Sequence, residues 1–237
     1  MNNKPLVVAG INFKNIKLAY LLTGIVMGVA LLQNIVFLVL ASFDINPSGP
    51  ENATVSFGNL LFLLVIFTAV FVPVKNFRKM MNLGGKRADF FRGCIINYAI
   101  IAALISLVSL ILYYTYDKYM ISALYGGGTL DILYWFRWLD NGPVVAFFRQ
   151  FAFLFLLATV IHTLTAIQDK WYGWGTDILI VAIISVFTPI SALRPALVWF
   201  FNLIIFHSNA LLQIIACIIL SLLVYSLNKP IFARKVI

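Results

Sequence analysis

KNFRKMMNLGGKRADFFR, residues 75–92, is the stretch that decides the fold, because it is a short basic segment between two long apolar runs. It contains six Lys or Arg residues and one acid, Asp89. The whole chain is 62% hydrophobic and 11% charged, whereas a soluble domain carries about 25% charged residues. The segment therefore indicates a cytoplasmic loop of a membrane protein, and it orients the spans on either side of it.

The composition predicts an all-α integral membrane protein with a single transmembrane domain over residues 1–237. The apolar runs are continuous and do not alternate with a period of two, so they are typical of membrane helices rather than of a transmembrane barrel. Cys94 and Cys217 lie inside apolar runs and are interpreted as small core residues, not as a disulfide or a metal site. The net charge of +9 follows from the placement of the cations and does not indicate binding to nucleic acid.

Six runs are long enough to cross a bilayer, which takes about 17–25 apolar residues in a helix. They are residues 18–41, 57–74, 93–114, 145–167, 176–193 and 209–227. The first is expected to be an uncleaved signal anchor, because it is too long for the apolar core of a signal peptide. A seventh apolar run, residues 195–207, is too short to cross and predicts a re-entrant or interfacial segment.

The distribution of cations predicts that both termini are cytoplasmic. With the N-terminus inside, 13 of the 17 Lys and Arg residues lie on the inner side, as the positive-inside rule requires. Only Lys118, Arg137, Arg149 and Arg194 are then outside. We expect a multi-pass protein of the cell membrane, and the richness in Ile, Asn, Lys and Phe hints at a bacterial source.

Several kinds of chemistry have no recognisable signature in the sequence. There is no complete phosphate-binding loop around Gly84, no H-E-x-x-H and no G-x-S-x-G, so we expect no catalytic residue, no metal and no cofactor. His162 and His207 lie far apart in sequence and are not interpreted as ligands or proton carriers. The chain is therefore predicted not to be an enzyme, and any ATP hydrolysis would occur in a separate subunit.

Few ionisable residues lie within the predicted spans. Arg149 and Asp177 lie near span ends and are interpreted as interfacial anchors that reach solvent. Neutral polar residues such as Asn97, Gln150 and Gln213 are expected to form hydrogen bonds between helices. Without a carboxylate near the membrane centre or an internal repeat, the sequence does not favour an ion-coupled transporter.

The basic loop itself is predicted to contain a short amphipathic helix that Gly84 and Gly85 interrupt before the third span begins. Met80, Met81 and Leu83 are expected on one side of it, with cations around them. Because aromatic and Arg side chains are favoured where proteins bind each other, the loop is a candidate docking site. The alternative is a basic loop that contacts only anionic lipid.

The segment LGGKRADFFRG, residues 83–93, resembles the loop between spans two and three in the membrane subunits of ABC transporters of the ABC-2 type. The resemblance implies six spans, a coupling helix over residues 76–91, an amphipathic helix over residues 4–17 and the short re-entrant segment between spans five and six. It also implies two partners, an ABC ATPase and a second permease subunit that is either identical or different. The residues it implies for the ATPase contact are Met80, Met81, Arg87, Asp89, Phe90 and Phe91.

The function that the resemblance implies is ATP-driven export of an amphipathic substrate, either a peptide or a lipid-like molecule. The main alternative is a polytopic scaffold or a partner of a sensor protein that transports nothing. A membrane-embedded enzyme acting on lipids is the third hypothesis, although the sequence offers only scattered candidate groups for it.

Overall fold

The computed structural model describes residues 4–43, 55–119, 131–168 and 170–234, and this part of the chain is helical with no strands. The helices are α1 (Lys4–Asn15), α2 (Lys17–Ser42), α3 (Phe57–Leu60), α4 (Phe62–Phe71), α5 (Phe77–Asn82), α6 (Arg87–Leu112), α7 (Ile132–Trp135), α8 (Pro143–Ile167), α9 (Trp171–Phe187), α10 (Arg194–Phe201), α11 (Ala210–Ser226) and α12 (Asn228–Arg234). The π-helical turns Val72–Asn76, Tyr113–Asp117 and Asn202–Phe206 extend α4, α6 and α10. The sequence also contains an N-x-T glycosylation pattern at residues 52–54 and three consecutive glycines at residues 126–128. Both lie outside the described residues.

Five helical stretches of the described chain are long and apolar enough to cross a membrane. They are Lys17–Leu40, Phe57–Asn82, Arg87–Asp117, Pro143–Ile167 and Ala210–Phe232. These stretches confirm an all-α protein of membrane character and coincide with five of the six predicted spans. The remaining prediction, residues 176–193, falls on α9, which has 17 residues and ends at Phe187. At about 1.5 Å per residue, α9 is roughly 25 Å long, which is less than the roughly 30 Å thickness of the hydrocarbon core of a bilayer.

Helix α8 lies at the centre of the bundle, and α4, α6 and α11 pack around it. Its sequence explains this position, because small residues such as Ala152 and Ala158 are fully buried on it and allow close approach of its neighbours. Leu154 and Phe155 on the same helix join the main apolar core.

Helix α1 packs on the first turns of α6. Val8 and Asn12 are four residues apart on α1 and both are buried, so they lie on one face of the helix. Ile16, directly after the helix, is buried as well. The two helices approach closely at Gly93, where an added Cβ atom would lie 2.5 Å from Cγ1 of Val8. Glycine at this position therefore permits the docking of α1.

Helices α2 and α9 are the least buried of the long helices. In the most apolar stretch of α2, 6% of the residues are buried. On α9, Gly173 is buried and its other residues are half-buried or exposed. Exposed Leu, Ile and Val side chains cover the rest of both helices. Such surfaces are stable in contact with lipid or with another apolar helix.

Candidate docking site at the basic end of the bundle

The contacts between helices define two ends of the bundle. The end that contains α1, α5, the start of α6 and α12 is called the basic end, because the cations of residues 75–92 and Lys229 lie there. At the other end, Asp117 accepts hydrogen bonds from the backbone N–H groups of Phe57 and Gly58 at 2.9 and 3.2 Å. Segments that the cation distribution assigns to one side therefore do meet at one end of the bundle.

The basic loop folds as a helix, a turn and a second helix, as the sequence predicted. Pro73 lies in the π-helical turn that leads into α5, consistent with its missing N–H group. Gly84 ends α5 with a φ of 77°, a left-handed conformation that favours glycine. The N–H groups of Gly84 and Gly85 donate to the carbonyls of Met81 and Met80, both at 3.0 Å. Helix α6 then starts at Arg87.

Three phenylalanines join the loop to the rest of the bundle. Phe77 of α5, Phe90 of α6 and Phe232 of α12 are at most 2% exposed. Their ring centroids are 5.3 Å apart for Phe77 and Phe90, 4.9 Å for Phe77 and Phe232, and 5.7 Å for Phe90 and Phe232. Aromatic pairs at such distances stabilise a fold beyond their buried area. The cluster fixes α5 to α6 and α12, so the loop is a packed part of the bundle.

The structure assigns different environments to the two adjacent phenylalanines of the motif. Phe90 is 0% exposed, so its side chain lies in the core and offers no surface to the outside in this structure. Phe91 is half-buried, and its ring stacks on that of Tyr225 with centroids 4.5 Å apart. The hydroxyl of Tyr225 donates to the carbonyl of Phe91 at 2.6 Å.

The other predicted contact residues lie around this cluster. Nη1 of Arg87 donates to the carbonyl of Phe232 at 3.1 Å. Asp89 is half-buried in the first turn of α6, where the helix dipole favours a carboxylate. Met80 and Met81 are half-buried and pack against the main core, whereas Leu83 is 78% exposed. Met80 and Leu83 line the same pocket beside α1, so these two residues share one side of the loop, and Leu83 is the more exposed of them.

Sequence reasoning missed the residues of α1 that hold the loop. Nδ2 of Asn76 donates to Oδ1 of Asn12 at 3.1 Å, and Nδ2 of Asn12 lies 3.5 Å from Sγ of Cys94. Nζ of Lys79 donates to Oδ1 of Asn15 at 3.0 Å. The four-residue spacing of Asn12 from Val8 was the available signal, because it places a polar residue on the buried face of α1.

The cations of the basic end are available to an outside partner. Lys75, Arg78, Lys86, Arg92 and Lys229 are exposed and form no ion pair with the described residues. The ion pair that the described residues do form, Arg137–Asp140, lies at the other end, with its Nε and Oδ2 atoms 3.0 Å apart.

Arg149 differs from the sequence interpretation. It is 3% exposed and so is not an anchor that reaches solvent. Its Nε donates to Oε1 of Gln213 at 2.5 Å, and its Nη2 donates to the carbonyl of His207. These bonds satisfy the buried guanidinium, and they tie α8 to α11 and to the segment before it.

Polar residues inside the bundle do form bonds between helices, which confirms that prediction for two of them. Gln213 bonds to Arg149, and Nε2 of Gln150 donates to Oγ of Ser109 at 3.0 Å. His162 lies 2.5 Å from the hydroxyl of Tyr98, measured at Nδ1. No three His, Cys, Asp or Glu side chains of the described residues come together as metal ligands would.

No protein-family model, curated protein or solved structure matches this chain. The family therefore stays a resemblance carried by residues 83–93, and the functional argument depends on the geometry described above.

Proposed function

We propose that the chain is the permease subunit of an ABC exporter of the ABC-2 type, and that α5 is its coupling helix. The observation that carries the proposal is the packing of α5 at the basic end, where buried Phe77 fixes it to α6 and α12. A coupling helix must move together with the spans that it drives, because a mobile loop would absorb the displacement. On its outer side, α5 presents Arg78, and the exposed Leu83 follows directly.

The path of the chain supports six crossings, although α9 is short. Helix α8 starts near Trp138 and His207 at the far end, and its last residues pack near α12 at the basic end. Helix α11 starts beside His207 and reaches the basic end at Tyr225. This placement of the two ends favours one more crossing by the segment between them, through α9 or through α9 and the following turn. We infer six crossings with both termini in the cytoplasm.

The exposed apolar faces of α2 and α9 support a second permease subunit. These two helices contribute little to the core of one chain, so they are free to pack against a copy or a related subunit within the membrane. Such a pair would be driven by two ATPase subunits below the basic end. We propose an amphipathic substrate, a peptide or a lipid-like molecule, because the paired helices would enclose mostly apolar surface.

Co-purification tests the proposal. The chain is tagged at its C-terminus, extracted from its native membrane in several mild detergents, and the proteins recovered with it are identified. An ATPase in equal or near-equal amount is the expected result. Recovery of the chain alone in every detergent would overturn the proposal in favour of the scaffold or the lipid enzyme.

Two surface variants make the test specific to α5. Leu83→Asp places a charge on a side chain that is 78% exposed, and Tyr134→Asp does so at the far end on one that is 68% exposed. We expect the first to abolish ATPase recovery and the second to preserve it. Equal recovery with both variants would refute the assignment of α5 as the docking helix.

A further inference from the structure

A cavity at the basic end lies between the first two turns of α6 and the start of α12. Its volume is about 480 Å³, within the range of about 300–1,000 Å³ that is usual for small-ligand sites. The residues that line it are Arg87, Ala88, Phe91, Arg92, Lys229 and Phe232. Among the described residues, its lining therefore has three cationic side chains, apolar groups and no acid.

The electrostatics of this cavity favour an anion. Arg92 and Lys229 form no ion pair with any described residue. Arg87, whose Nη1 donates to the carbonyl of Phe232, lies at the wall of the same cavity. The first turn of α6 has no side-chain cap, and its dipole adds a partial positive charge at the same position.

The surfaces next to the cavity are apolar and exposed. Along α6, Arg92 is followed at four-residue intervals by half-buried Ile96 and by Ile100 and Leu104, which are 44% and 46% exposed. Just after α11, Leu227 is 59% exposed and lies two residues before Lys229. A ligand that matches both features has an anionic group and a long apolar chain.

We propose that this cavity binds the headgroup of one anionic phospholipid, with the phosphate held by Arg92 and Lys229. The acyl chains then lie along the exposed apolar residues of α6 and α11. The site is more specific than attraction of a basic loop to an anionic membrane, because it takes one lipid at a defined place. It does not depend on the proposed ATPase partner.

Native mass spectrometry of the detergent-solubilised chain tests the site, because it counts bound lipids one by one. The probes are phosphatidylglycerol and phosphatidylcholine with the same acyl chains, and inorganic phosphate as a competitor. The cavity pair is Arg92→Gln with Lys229→Gln. The control pair is Lys75→Gln with Arg78→Gln, which removes the same charge from exposed residues at the same end but outside the cavity.

We expect one tightly held phosphatidylglycerol on the wild-type chain and on the control pair. Since a cation near a membrane surface contributes about a fivefold gain in affinity, the cavity pair should bind this first lipid about 30-fold more weakly. Arg92→Lys, which keeps the charge, should retain it. Equal losses in the two pairs, or equal affinity for phosphatidylcholine, would overturn the proposal. Displacement by inorganic phosphate at the lipid's own concentration would do so as well, because it would identify a site for soluble phosphate.

Discussion

Gly93→Ala should separate α1 from α6 at the basic end. A Cβ atom on Gly93 would lie 2.5 Å from Cγ1 of Val8 and 3.0 Å from the backbone oxygen of Pro5. The second contact is with backbone, so rotation of a side chain cannot relieve both, and α1 has to shift. Forcing a methyl group into a packed contact costs about 1–3 kcal/mol. For a chain of 237 residues, a loss of about 2 kcal/mol lowers the melting temperature by about 4–8 °C.

Gly10→Ala is the matched control, because a Cβ at Gly10 meets nothing within 4 Å. The same change of residue in a helix should there be neutral or slightly stabilising, by about 0.5–1 kcal/mol. Thermal unfolding of both variants in detergent measures the difference in stability.

The thiol of Cys94 reports on the docking of α1 directly. Cys94 is 0% exposed and lies 3.5 Å from Nδ2 of Asn12 on α1. In a Cys217→Ala background, N-ethylmaleimide should label Cys94 quickly in Gly93→Ala and slowly in Gly10→Ala. If the two variants have the same melting temperature and Cys94 stays unreactive in both, the reasoning about the contact between α1 and α6 is refuted.

Other substitutions test the core, the buried cation and the far end. Phe90→Ala should cost about 3–5 kcal/mol, because it empties a fully buried site, whereas Leu83→Ala should change the melting temperature little. Arg149→Ala and Gln213→Ala should be coupled by about 0.5–3 kcal/mol in a double-mutant cycle, since the two side chains share a hydrogen bond; additive effects would contradict that. Burial raises the pKa of the Asp131 carboxyl, so the folded chain holds this proton at a higher pH than the unfolded chain does. The stability of the wild type should therefore fall as pH rises through the interval just above 3.8. Asp131→Asn should lose this part of the pH dependence when the two proteins are compared by thermal unfolding across that interval. The same pH dependence in Asp131→Asn as in the wild type would contradict the reasoning.

The sequence predicted the long apolar helices well where an apolar run is uninterrupted. The predicted run 176–193 lies too far along the chain to match α9, because it includes Pro189 and the helix ends at Phe187. A residue before proline is disfavoured in a helix, so the local signal was present, but a count of apolar residues does not register it. The turn at Gly84 was predictable, because it depends only on the ability of glycine itself to adopt a positive φ.

The environments of individual side chains in the basic loop were less predictable. Phe90 and Phe91 are adjacent, so their side chains point in directions about 100° apart on the helix. Which of them is buried depends on Phe232, which comes from the other end of the chain. Arg149 was misjudged in the same way, because its partner Gln213 is separated from it by 64 residues. The local sequence around Phe90 and Arg149 therefore contains no signal of Phe232 or Gln213, the residues that they contact.

The exposed cations Lys75, Arg78, Lys86, Arg92 and Lys229 at the basic end contribute little to the fold of this chain, unlike Lys79 and Arg87, which bond to Asn15 and to the carbonyl of Phe232. The one ion pair seen in the described residues lies at the far end, and the exposed Lys and Arg side chains around α5 and α12 pair with no acid there. The stability of the basic end comes instead from the cluster of Phe77, Phe90 and Phe232 and from the docking of α1. Surface cations contribute little to stability even when they are paired, so charge and stability can be changed separately here. A loss of binding after removal of these charges therefore reports on a partner or a lipid, whereas a loss of stability after substitution of Phe90 reports on the fold.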